Sequence, residues 1–163
     1  MSDVAKLSAR RSAVALTAFV GLCLIVAGVG GAATVSSVHS WYPHLRKPSF
    51  NPPDWVFGPI WTVLYILMAV AAWRVWRRQA RGRSIALALW GFQLTLNLGW
   101  SLIFFGLHAP AAALAELALL LAAVAASVIA FAQQDALGAL LLIPYLCWSS
   151  FAFLLNFEIW KLN

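Results

Sequence analysis

WYPHLRKPSFNPPDWVFGPIW, residues 41–61, is the stretch around which the rest of this chain is organised. These 21 residues hold five of the seven prolines and three of the nine tryptophans. Because each proline ring removes an N–H donor and restricts the residue before it, the stretch cannot be one continuous helix. Because each ring also fixes its own φ angle, we predict a stiff loop that acts as a structured lid rather than a flexible connection.

The sequence on both sides of this loop is apolar enough to cross a membrane. Hydrophobic residues make up 63% of the 163 residues and charged residues 10%, with a mean hydropathy of +0.86. A membrane helix needs about 20 mostly apolar residues, and five runs of that length contain at most one charge. We therefore predict an all-α, five-transmembrane-helix bundle forming one domain, residues 1–163. The predicted helices are about 12–38, 55–78, 84–107, 109–133 and 136–158, with the lid loop at about 39–56.

The basic residues are distributed unevenly between the two ends of such a bundle. Eight of the 11 Lys and Arg residues fall before the first span or between the second and third, and three fall at the other end. Positive residues accumulate on the cytoplasmic side of a membrane, which predicts a cytoplasmic amino terminus if the membrane is a plasma membrane. The formal charge of +6 is explained by this topology, and we predict no nucleic-acid partner.

Most catalytic and metal-binding chemistries lack the residues that they need. The three histidines, His39, His44 and His108, are scattered over loops with no HExxH motif or paired carboxylates, so we predict no metal site. Cys23 and Cys147 lie in different spans and indicate no disulfide framework. The spans also lack the several ionisable groups typical of a proton-coupled pump.

Aromatic rings and amides inside the spans are what remains. Trp61, Trp100 and Trp148 are flanked by apolar residues, so a role at the membrane interface explains them less well than it explains the other tryptophans. Gln93 and Asn97 are four residues apart and share one helix face, which should point into the bundle either as interhelical contacts or as ligand-lining groups. Several large π faces near a few amides suit a flat, weakly polar ligand, such as a tetrapyrrole or a sterol. Without an axial ligand, a porphyrin would be held by its faces and edges.

The chain resembles a known family, the translocator proteins, also called tryptophan-rich sensory proteins or peripheral benzodiazepine receptors, and looks like a bacterial member. The resemblance covers nearly all of the chain after about residue 20. It rests on the following motifs: Trp41-Tyr42, Lys47-Pro48, Asn51-Pro-Pro-x-Trp55-Val-Phe-Gly-Pro-Ile-Trp61-Thr-x-Leu-Tyr65, Gln93-Leu-x-Leu-Asn97, Trp100, Phe104-Phe105-Gly106, Pro144-Tyr145-Leu-x-Trp148 and Leu155-Asn156-Phe157.

The resemblance implies a five-helix bundle, usually a homodimer, that binds porphyrins in a pocket under the loop between the first two helices. No cofactor is required; protoporphyrin or heme would be a ligand, and animal members also take sterols and benzodiazepine-type drugs. Phe157 stands where the cholesterol motif of animal members has a tyrosine. The implied location is a bacterial inner membrane, with the outer membrane as an alternative for some members.

Site residues follow from the same resemblance. The implied ligand-binding residues are Trp61, Trp148, Asn97 and Ala152, and we extend this set to Phe57, Tyr65, Trp100 and Phe104. The predicted lid residues are Trp41, Tyr42, Pro52, Pro53 and Trp55.

Three functions stay open at this point. The first is a membrane receptor, sensor or transporter for porphyrin-type tetrapyrroles. The second is light-dependent degradation of protoporphyrin, in which Trp61 and Trp148 would be the reactive groups, so that an enzymatic activity is uncertain. The third is an interaction protein that recruits another membrane protein through stripes of alanine.

Overall fold

Five long helices make up the computed structural model, which describes residues 3–78 and 80–163, with side chains from Ser8 onward. The elements in chain order are α1 (Asp3–Ser40), α2 (Phe57–Trp76), α3 (Arg83–Ser101), α4 (Pro110–Ala132) and α5 (Ala136–Leu162). Each contains a stretch long and apolar enough to span a membrane. No strand occurs in the described ranges, and the predicted all-α membrane bundle is confirmed.

The helix ends differ from the predicted ranges. Helix α1 begins at Asp3 rather than near residue 12, because the Lys and Arg residues before the apolar run are good helix formers. It also continues to Ser40, so the lid starts later than residue 39. Helix α5 continues to Leu162 rather than ending near residue 158. In each case the helix extends past the apolar run by which we had predicted its length.

Short turns of other helix types occur in the lid and at the end of α3. Two 3-10 turns, Tyr42–His44 and Asp54–Val56, lie inside it. The second turn directly precedes α2, whose Pro59 has no N–H to donate to Trp55. The third span, predicted as one helix over 84–107, changes from α to a π-helical turn at Leu102–Gly106.

Helix α2 packs between α1 and α5. It contacts α1 on one side and α5 on another, while α4 packs against α3 and α5. The carboxyl-terminal half of α2 is fully buried at Met68, Ala69, Ala71, Ala72 and Val75, all 0% exposed. The small side chains allow the neighbouring helices to approach closely there, as is usual in membrane bundles.

Asp135, just before α5, joins three elements at this same end of the bundle. Its carboxylate accepts a hydrogen bond from Nε of Arg74 at 2.6 Å, is ion-paired with Arg78, and caps α5 by accepting from the N–H of Gly138 at 2.9 Å. The hydrogen bond from Arg74 is the main cause that lowers the pKa of Asp135 far below its ordinary value, and Arg78 and Gly138 act in the same direction. The connection between α4 and α5 is thus fastened to the end of α2.

Candidate ligand cavity

A cavity of about 410 Å³ occupies the opposite half of the bundle, below the lid. Its walls come from α1, α2, α3 and α5, and two lid residues, Tyr42 and Asp54, complete it. Its volume is within the range of about 300–1,000 Å³ found for small-molecule sites. All eight residues predicted to bind a ligand line it: Phe57, Trp61, Tyr65, Asn97, Trp100, Phe104, Trp148 and Ala152.

Aromatic rings from three helices line the cavity. The ring of Trp61 lies 5.7 Å from that of Tyr65, and the ring of Trp148 lies 5.8 Å from that of Phe57, measured between centroids. On the α3 side, Trp100 stacks on Phe104 at 5.3 Å with an interplanar angle of 22°. These pairs hold one another in place, so the cavity presents fixed π faces to whatever enters it.

A hydrogen-bonded set of polar groups lies beside these rings. The Asn97 side chain accepts from the Tyr65 hydroxyl at 2.5 Å and donates to the Tyr145 hydroxyl at 3.1 Å. Asn97 is 2% exposed and Gln93 1%, which confirms that the two amides point into the bundle. Because both ends of the Asn97 amide already have partners, the cavity offers a ligand mainly apolar and π contacts.

A second amide, which sequence reasoning did not include in the site, secures the α5 wall. Asn156 accepts from Nε1 of Trp100 at 3.1 Å and donates to the carbonyl of Pro110 at 2.8 Å. It therefore orients the Trp100 ring and fixes α5 against the start of α4. Its position after Leu155 in the Leu-Asn-Phe motif was the signal that could have placed it in the site.

Helix α1 contributes small residues to the cavity wall. Ala27, Gly30 and Gly31 line the cavity. A Cβ added to Gly30 would lie 3.4 Å from Oγ of Ser101, so α1 and α3 come close together at this point. Gly30 thus permits the close helix contact at the edge of the cavity, while its neighbours leave the interior open.

The π-helical turn at Leu102–Gly106 is the local feature that no sequence pattern indicated. Such turns insert an extra residue into a helix and often occur at functional sites. Here the turn places Phe104 against Tyr42 and Trp41, with centroids 6.5 and 5.5 Å apart, while Phe105 also lines the cavity. The turn therefore joins the cavity wall to the lid.

The lid is held to the bundle by a few specific contacts. Tyr42 is 5% exposed, and its hydroxyl donates to Oδ1 of Asn51 at 3.0 Å; burial raises the pKa of Tyr42 to about 12. Trp41 stacks on His108 at 4.4 Å. Asn163, after α5, exchanges two hydrogen bonds of 3.0 Å with the backbone of Arg46.

The predicted lid residues divide into two groups. Tyr42 lines the cavity directly, whereas Trp41, Pro52, Pro53 and Trp55 do not. Trp55 is 76% exposed and faces away from the bundle. Pro52 accepts a hydrogen bond from the Asn51 side chain at 3.0 Å through its carbonyl, so it lies behind Tyr42 rather than in the wall. These four were predicted only as part of the lid, and they lie in the loop between α1 and α2 without lining the cavity.

Chemically, the cavity is apolar, aromatic and nearly free of charge. Asp54, at the lid, is its one charged lining residue, and within the described residues no group of three His, Cys, Asp or Glu side chains is placed to hold a metal ion. These features define a class: a multi-pass membrane protein with a ligand-sized aromatic cavity enclosed by its helices.

Comparison with known proteins identifies the family. Residues 19–161 match the TspO/MBR family. The chain is 43% identical to "Tryptophan-rich protein TspO" of Chlorobaculum tepidum over 88% of this chain and 92% of that protein, and 38% identical to "Protein CrtK" of Rhodobacter capsulatus over 91% and 94%. It is 40% identical to the human "Translocator protein" over 76% of this chain and 75% of that protein. The chain belongs to the TspO/MBR family, which supports a membrane receptor or sensory role.

Proposed function

We propose that this protein is a membrane receptor that binds a porphyrin-type tetrapyrrole in the cavity below the lid. One observation carries the proposal: a cavity of about 410 Å³ walled by aromatic rings from three helices, whose buried amide is already hydrogen-bonded. A flat macrocycle gains contact area from every such face and needs few polar partners in the interior. The names of related proteins, "tryptophan-rich sensory protein" among them, agree with a sensing role.

The carboxylates of a protoporphyrin would lie toward the lid. Lys47 supplies a cation at this end, with Nζ 4.1 Å from the Tyr42 ring centroid. Asp54 opposes an anion on the other side of the lid. We therefore expect the ring system, rather than the carboxylates, to supply most of the affinity.

The test is a titration of the purified protein with protoporphyrin IX in the dark, followed by the porphyrin absorbance. Trp61→Phe with Trp148→Phe should weaken binding by about tenfold or more. Each change removes ring surface that contacts the ligand, and this surface contributes about 1 kcal/mol to the binding free energy. The matched control is Trp55→Phe with Trp160→Phe, which also removes two indoles but from exposed positions. Equal affinity in both double variants would place the tetrapyrrole outside this cavity.

We further propose that the amino terminus is cytoplasmic in a bacterial inner membrane. The support is the excess of basic residues at the end of the bundle that holds the start of α1 and the connection from α2 to α3. Reporter fusions at the amino and carboxyl termini would report the orientation, and an active periplasmic reporter at the amino terminus would refute it.

A further inference from the structure

A second opening lies on the outside of the bundle, at the end away from the aromatic cavity. It is a crevice of about 500 Å³ between the beginning of α1 and the end of α2, lined by Arg10, Arg11, Val14, Ala15, Ala18 and Trp76. It shares no lining residue with the aromatic cavity, whose α1 wall begins at Leu24. The crevice and the aromatic cavity are therefore two separate sites.

The crevice is basic at one end and apolar along its length. Arg11, Ala15 and Ala18 follow one another at spacings of four and three residues, so they lie on one face of α1. The rise from Arg11 to Ala18 is about 10 Å at 1.5 Å per residue. The crevice is open at Ala15 and Ala18 because their side chains are small, and Val14 and Trp76 form its sides. A molecule that fits it has a charged end and an apolar chain.

The walls of the crevice are held at a fixed separation. Trp73, one turn before Trp76, donates from Nε1 to the carbonyl of Ser12 at 2.9 Å and reaches the Ser12 hydroxyl at 3.2 Å. The guanidinium of Arg77 lies 4.8 Å from the centroid of the Trp73 ring. The crevice is thus bounded by a defined contact between α1 and α2.

The charges at the crevice differ from those of the other arginines nearby. Arg74 and Arg78 share the carboxylate of Asp135 as an ion-pair partner. Across the side chains that the structure describes, no carboxylate is paired with Arg10 or Arg11, and both are exposed. They stand directly before the uncharged run that begins at Ser12, at the level where lipid headgroups meet a membrane helix. Guanidinium groups bind phosphate oxygens in bidentate fashion.

We propose that this crevice is a binding site for one anionic phospholipid. The lipid phosphate contacts Arg10 and Arg11, and an acyl chain lies along Ala15 and Ala18 against Trp76. The apolar length of the crevice favours a lipid over a free phosphate ion. The two guanidiniums, without a carboxylate partner in the described part of the chain, favour an anionic headgroup over a zwitterionic one.

The experiment is native mass spectrometry of the detergent-purified protein with phosphatidylglycerol, with phosphatidylcholine of the same acyl chains, and with inorganic phosphate. Arg10→Gln with Arg11→Gln should weaken phosphatidylglycerol binding about thirtyfold, since each basic residue contributes roughly a factor of five. Arg46→Gln with Arg81→Gln removes the same charge from exposed positions outside the crevice and should change binding less than about threefold on the same scale.

A second variant separates a built site from general attraction to a basic surface. Ala18→Leu keeps every charge but fills the hollow, and it should also weaken phosphatidylglycerol binding at least about tenfold, by excluding the chain. Unchanged binding in Ala18→Leu would overturn the proposal. Equal binding of phosphatidylcholine would overturn the anionic headgroup, and inorganic phosphate that competes fully at equal concentration would overturn the lipid. Helical circular dichroism shows that each variant is folded.

Discussion

The two halves of α2 are nearly equal in hydrophobicity and differ completely in what surrounds them. In the half from Met68 to Val75, five side chains are 0% exposed and the neighbouring helices fill the space between them. In the half that begins at Phe57, bulky rings hold the helices apart and enclose the cavity. The first is a closed half, built from small residues and fastened by ions, and the second is an open half. Hydrophobicity alone thus does not distinguish stability from binding in a membrane bundle; side-chain size does.

The largest expected effect comes from removing the ion pairs that stabilise the closed half. Asp135→Ala removes one carboxylate that serves Arg74, Arg78 and the N–H of Gly138, and it should lower the free energy of unfolding by about 2–4 kcal/mol, from a lost helix cap and lost charge-assisted hydrogen bonds to partly exposed arginines. Unfolding in a denaturing detergent, followed by helical circular dichroism, measures the change. The affinity of the folded fraction for protoporphyrin should stay near that of the wild type, because Asp135 does not line the cavity.

Glu158→Ala is the control, because the Glu158 carboxylate lies 3.8 Å from Nζ of Lys161 in a solvated pair worth about 0–1 kcal/mol.

The stability that Asp135 contributes depends on pH with a definite sign. The pKa of Asp135 is lower in the folded protein than its unfolded value of about 3.9, so its contribution is complete above about pH 4 and is lost as the pH falls further. A wild-type stability profile parallel to that of Asp135→Ala below pH 4 would contradict this assignment.

A matched pair of alanine substitutions tests the comparison directly. Ala72→Leu adds three carbons to the closed half, where there is no space, and should cost about 1–3 kcal/mol of stability. Ala152→Leu adds the same atoms to the cavity and should leave stability almost unchanged. It should instead weaken protoporphyrin binding at least about tenfold, equivalent to ~1.4 kcal/mol. If Ala152→Leu destabilised the fold as much as Ala72→Leu, the open half would not be open.

The smallest expected effect concerns the lid. Pro52→Ala with Pro53→Ala should weaken protoporphyrin binding by about fivefold, because each proline limits the backbone freedom lost when the lid orders, by roughly 0.4–1 kcal/mol. The bundle should remain folded, since neither residue lies in a helix. Ser49→Ala, at an exposed position of the same loop, is the control. Quenching titrations that give one affinity for all three proteins would show that the lid is only a connection.

The class of fold and most of the cavity wall could be predicted from the amino-acid sequence alone. Five long apolar runs leave no alternative to membrane helices, because a backbone in lipid must satisfy its own hydrogen bonds. The tryptophans and amides inside those runs had to face the bundle, and Trp61, Asn97 and Trp148 do line one cavity. The prolines in the lid and before α2 predicted where helical structure is interrupted. A missing N–H removes a helical hydrogen bond locally, whatever the tertiary structure.

The position of the ligand cavity and the contacts that close it depend on tertiary packing and could not be predicted from the sequence. The role of Asn156 depends on Trp100 and Pro110, 56 and 46 residues away in the chain, and no local pattern encodes such a pairing. The π-helical turn at Leu102–Gly106 lies where α3 meets α1, α4 and the lid, and helix propensity does not predict it. Trp55 and Tyr42 belong to one loop, yet Trp55 faces outward and Tyr42 is buried, because the packing of neighbouring elements, not the residue type, sets the direction of a loop side chain.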